Sequence, residues 1–163
     1  MASILKVSTL QDVTNSNTAM TIDSSGYVVM PKRPYFNGQY TTQSIAGSAQ
    51  YVLVATSTHH NNGSHYNTST GKFTAPCSGV YTFSGSASMN TTSSYVLIFH
   101  ANSGGSEIQS YYGNQTDSDN DSLTRFQMGA TFYMTATDYV EFKVAHFTST
   151  HDVGHVLNGA FIG

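Results

Sequence analysis

Charge is what this 163-residue chain has least of. Asp, Glu, Lys and Arg make up 9% of it, against about 25% in ordinary globular domains. Six Lys and Arg, set against a net charge of -3, cannot track a phosphate backbone, so no nucleic-acid partner is expected. Cysteine is represented by Cys77 alone, which leaves no intrachain disulfide framework and no Cys-based zinc site. No apolar run nears the roughly 18 residues of a membrane-spanning helix, so no membrane insertion is expected. The opening MASILKVSTLQD lacks the hydrophobic stretch and cleavage site of a signal peptide, and so predicts synthesis in a cytoplasm. Strong helix formers are thin, and Glu107 and Glu141 are the only glutamates, which argues against a helical fold.

Other residues fill the gap. Ser, Thr and Asn make up about a third of the chain, and 11 Tyr and 9 Phe supply large buried areas. Sparse charge, many hydroxyls and many aromatics suit a β-protein. Val80 to Met89 alternates with period two, placing Tyr81, Phe83, Gly85, Ala87 and Met89 on one face. Phe126, Met128, Ala130, Phe132 and Met134 repeat the pattern, as do Val140, Phe142 and Val144. Tyr95 to Phe99 is apolar on both faces, as in a central strand. Turn-rich segments separate these runs at intervals of roughly 8–15 residues, which predicts an antiparallel sandwich or jelly roll.

Residues 1–34 read differently, as an extended arm before a head at 35–163. Met20–Ile22 and Tyr27–Met30 flank Asp23-Ser24-Ser25-Gly26, the signature of a short hairpin, and Pro31-Lys32-Arg33-Pro34 forms a stiff linker. Ile4, Leu5, Val7 and Leu10 form an apolar cluster suited to adding a strand to a neighbour's sheet edge.

Gly71-Lys72-Phe73-Thr74, followed by Gly79, Tyr81 and Phe83, is similar to the signature of the complement component 1q globular-head family. The resemblance covers about residues 33–163. It implies an all-β jelly roll of about ten antiparallel strands that assembles as a homotrimer, with aromatic and apolar residues along the threefold axis. Two features depart from the pattern: Cys77 stands two residues beyond the place where the family often has a cysteine, and there is no collagen stalk. The arm, with LKVSTLQDVTNSN and AMTIDSSGYVVMP, resembles leader and shaft sequences of bacteriophage tail fibres and other virion proteins.

Asp117, Asp119 and Asp121 alternate, and alternate carboxylates can converge on Ca²⁺. The sixth and twelfth positions of an EF-hand are filled here by Ser122 and Met128, so that motif is excluded. A solvated acidic loop is the plainer reading, calcium the alternative, and no other cofactor is expected. The seven His read as polar surface residues; His59 and His60, being adjacent, face opposite ways in a strand. No nucleophile elbow, zinc-peptidase pair or phosphate loop occurs, so no enzyme is expected. His59, His60, Asn61, Asn62, Asn114 and Gln115 are read as loop residues facing a host glycan or protein.

These elements together predict a trimeric virion protein of a bacteriophage. Its arm would dock to tail or capsid proteins, with a tail-fibre role in host attachment. Capsid decoration at threefold positions and a secreted lectin-like trimer are the alternatives.

Overall fold

The structure, a computed structural model, describes residues 6–46, 49–89, 95–103, 106–115, 124–146 and 150–163. The chain divides into two compact units, Met1–Arg33 and Pro34–Gly163.

The first unit is a three-stranded antiparallel sheet of β1 (Thr9–Gln11), β2 (Thr18–Ile22) and β3 (Val28–Val29). The hairpin expected between Ile22 and Tyr27 is present. Gly26 adopts φ 84°, a left-handed conformation that costs glycine little. The Asp23 carboxylate accepts from the backbone N–H groups of Ser25 at 2.8 Å and Tyr27 at 2.9 Å. An aspartate that bonds its own following backbone in this way fixes the turn.

The second unit is a sandwich of two antiparallel sheets. One layer runs β13 (Thr124–Met134), β10 (Gly79–Met89), β15 (His151–Phe161), β4 (Tyr35–Gly38), β7 (Thr58–Asn62), with β5 (Thr41–Ile45) continuing beside β15. The other runs β12 (Ser106–Gln115), β11 (Tyr95–Ser103), β14 (Tyr139–His146), β9 (Lys72–Thr74), β8 (Tyr66–Asn67), with β6 (Ala49–Val52) also beside β14. Twelve strand segments thus fill five positions in each layer, the ten-position jelly roll expected. No helix occurs among the described residues.

Alternation decides what lies between the layers. Odd-numbered residues of β10 are buried and its even-numbered ones are wholly or partly accessible, as the period-two pattern requires. Phe73 sits at the centre, its ring 5.4 Å from Phe83, 5.5 Å from Phe36 and 5.7 Å from Tyr81. The first is edge-on, the second stacked and the third tilted, and edge-on and offset-stacked arrangements suit the ring quadrupoles. Gly85 leaves room for the opposite sheet: a Cβ there would lie 2.8 Å from the Phe142 ring. The tyrosines at the margins satisfy their hydroxyls. The Tyr66 hydroxyl accepts from the Ala55 N–H at 2.8 Å, and burial raises its pKa to about 12, partly opposed by that bond. Tyr81 donates to the Cys77 carbonyl at 2.7 Å, pinning the Cys77 loop to the strand end.

Candidate interaction face

The outward surface of the β13-β10-β15-β4-β7 sheet is built by register. One cross-strand row is Thr131, Thr82, Ala160, Tyr35 and Asn62; the next is Gly129, Ser84, Asn158, Asn37 and His60; a third is Gln127, Ser86 and Val156. None of these thirteen positions is an acid, a lysine or an arginine. The charged residues of the sheet, Arg125 and Asp152, stand at one end, where Arg125 pairs with Ser88 and Asp152 with Ser44.

Three polar groups at the centre of this face satisfy one another. The Asn37 amide donates to the Asn158 side-chain carbonyl at 2.6 Å, and the Asn158 amide reaches the Ser84 hydroxyl at 3.5 Å. Groups already paired cost less to remove from water than free ones. Two shallow depressions mark the face, one between Ser84, Gln127, Gly129 and Asn158, the other between Tyr35, Thr82 and Ala160. Tyr133 at 66% and Tyr35 at 41% exposure rim it with aromatic surface. Aromatics with few charges are the composition of interface cores.

The opposite sheet carries the charge. Lys143 Nζ lies 2.9 Å and Lys72 Nζ 3.7 Å from the Glu141 carboxylate. His100 Nε2 is 2.7 Å from Glu107, while Lys143 Nζ donates to His100 Nδ1 at 2.6 Å. Lys72 also sits 4.0 Å above the Tyr139 ring. Both glutamates of the chain and both lysines of the sandwich unit are in this network.

The residues expected in receptor-facing loops fall elsewhere. His59, His60, Asn61 and Asn62 belong to strand β7, a correction to the loop assignment. The segment pairs with β4, with an irregularity at His59, so its backbone is committed to the sheet, and register puts His60 and Asn62 on the uncharged face. His60 lies 6.1 Å, ring to ring, from Tyr35. Asn114 and Gln115 likewise close strand β12, paired with Val96 and Tyr95, instead of forming a loop. Asp117, Asp119 and Asp121 lie outside the described residues, as do Ile4 and Leu5; Val7 and Leu10 are exposed. No group of three His, Cys, Asp or Glu among the described residues is placed to hold a metal ion.

His155 corrects a second expectation. It is buried, 1% exposed, because β15 turns its odd-numbered residues, Val153, His155 and Leu157, inward. Its Nε2 has no hydrogen-bond partner, and Nδ1 is 3.3 Å from the Val153 carbonyl. Burial lowers its pKa below 6.5, partly opposed by the nearby backbone, the Val153 carbonyl first. Burial lowers that of His65 as well. The folded chain therefore resists protonation that the unfolded chain accepts. Stability is complete above pH 6.5 and falls as pH drops below it towards the folded pKa. Thermal midpoints from about pH 7 to 5 are expected to decline, and a His155→Met variant to flatten the decline. Asp138 acts in a lower window. Burial raises its pKa, but bonds from Ser103 and Thr135 outweigh this and hold it below 3.8.

A jelly roll with one layer charged and the other neutral and aromatic-rimmed defines a class: a β-sandwich domain with one candidate interaction face. This chain belongs to the C1q domain family, whose model matches residues 36–155. Its fold is similar to the globular domain of zebrafish complement 1qA protein, with TM-score 0.68 and 18% identity over 80% of this chain and 98% of that one. Murine APRIL is similar at TM-score 0.56 and 8% identity, over 77% and 98% of the two chains. The Eiger TNF of S. frugiperda reaches 0.56 and 10%, over 80% and 92%. Among curated proteins no sequence matches this chain. C1q-like domains assemble as trimers.

Proposed function

We propose that this protein is a homotrimeric binding head, closed on the uncharged face of the β13-β10-β15-β4-β7 sheet and carried on its N-terminal arm as an appendage of a bacteriophage virion used in host attachment. One observation carries the trimer: thirteen positions in three cross-strand rows without a formal charge, on a sandwich whose other layer gathers its lysines and glutamates. A surface that is to be desolvated against copies of itself excludes like charges, which would meet across the symmetry axis. The virion role rests on the character of the arm. It resembles phage fibre leaders, it is compact apart from the head, and its first apolar residues, Ile4, Leu5 and Val7, suit docking to a virion protein. Host glycan or protein is then met by the head.

Deletion of residues 1–12 is expected to leave heads trimeric by light scattering but missing from purified particles. Particles that incorporate the truncated chain normally would refute the anchor. Immunogold labelling then separates the two virion roles: label at the tail agrees with attachment, and label spread over the capsid means decoration. Label on neither, with the chain recovered from culture medium, means a secreted module.

A further inference from the structure

The arm sheet has one face that nothing in its own unit covers. Met20 and Ile22, two apart on β2, share a side of the sheet, and their cross-strand partners Leu10 and Val28 share it with them. All four are apolar. Leu10 is 54%, Ile22 44% and Val28 55% exposed. The opposite face carries Thr9, Thr21 and Val29 across the same strands. The charged residues of the arm lie outside its three strands: Lys6 precedes β1, Asp12 and Asp23 are in turns, and Lys32 and Arg33 are in the linker. Beyond an irregularity at Gln11, a bond from the Gln11 amide to the Thr18 hydroxyl at 3.0 Å ends the row.

Strands of three, five and two residues do not make a stable sheet unless their apolar face is packed. A second copy of this chain fits that face better than a foreign protein does. The row offers no charged group to select a different partner, its one polar neighbour by pairing being Ser8, whose carbonyl accepts from the Ile22 N–H at 2.9 Å, whereas apolar rows related by symmetry complement one another. Connectivity agrees. Only Pro31, Lys32, Arg33 and Pro34 separate Met30 from Tyr35, which lies on the uncharged face of the head. Five bonds along the chain span at most about 18 Å, so heads that meet on that face hold three arms at high effective concentration.

We infer that the Leu10, Met20, Ile22 and Val28 face of each arm is buried against the same face of the other two copies, making a three-sided β base. This rests on the trimer reading. It also moves Leu10, which the sequence groups with Ile4, Leu5 and Val7, out of the virion anchor and into the base.

Crosslinking in the full chain tests the base. With Cys77 replaced (Cys77→Ser), Ile22→Cys or Val28→Cys treated with a short bismaleimide is expected to give covalent dimers on a denaturing gel, at a yield independent of protein concentration. Thr21→Cys, on the other face, is expected to stay largely single. Light scattering on the same samples separates the two ideas. A trimer in which neither Ile22→Cys nor Val28→Cys crosslinks, or in which Thr21→Cys crosslinks equally well, overturns the base and leaves the head trimer standing. A monomer overturns both.

Discussion

Gly129→Glu is expected to yield a folded head that no longer trimerises. Gly129 is exposed in the middle row of the uncharged face, on its edge strand β13, and the nearest atom to a Cβ built there is the Phe83 carbonyl oxygen at 3.6 Å, an ordinary contact. The single chain therefore accepts the side chain without strain. Assembly does not. Closing the face would bury a carboxylate beside Ser84 and Gln127, with no lysine or arginine among the thirteen positions to pair with it. Burying an unpaired charge costs several kcal/mol, and every 1.4 kcal/mol weakens association about tenfold. Light scattering is expected to report one chain, with circular dichroism unchanged. Thr74→Glu puts the same charge on the opposite layer, where Thr74 is exposed, and is expected to remain trimeric. A Gly129→Glu protein that stays trimeric at the same concentrations would place the contact elsewhere.

Phe73→Ala is expected to destabilise the head by about 3–5 kcal/mol, the cost of truncating a fully buried aromatic. Phe73 is 1% exposed and its ring meets Phe36, Tyr81, Phe83 and His65. It comes from the short strand β9 and reaches rings of the other layer, so the cavity opens between the sheets, where neither backbone can collapse into it. The thermal midpoint is expected to fall by roughly 10 °C or more, measured at one protein concentration because assembly shifts the midpoint by mass action. Phe73→Leu is expected to recover most of the loss. A drop near 1 kcal/mol or less would show that the ring is not central to the core.

Much of this core is legible in the sequence. The alternation of Val80 to Met89 names the inward residues of β10 directly, because side chains in a strand change sides at each step. Gly26 and Asp23 announce the hairpin through local chemistry alone. His59 to Asn62 read as a loop because His and Asn are common in turns, yet pairing with β4 overrides that preference. His155 misled for a related reason. Histidine is polar by composition, and only its odd-numbered place between Val153 and Leu157 shows that it points inward. That alternation was available in the sequence, but the neighbouring glycines and Asn158 blurred it.

The segregation of charge is a different matter. Lys72, His100, Glu107, Glu141 and Lys143 are scattered over about seventy positions of the chain and meet through antiparallel register. The three uncharged rows likewise gather residues from five strands. By itself the sequence determined what depends on neighbours along the chain: strand periodicity, the hairpin, the linker, the choice of aromatics for the core and the motif of the family. The tertiary structure alone decided which faces those strands present together, because a face is set by cross-strand pairing between residues remote in sequence. The neutral layer, the charged layer and the apolar row of the arm all arise at that level.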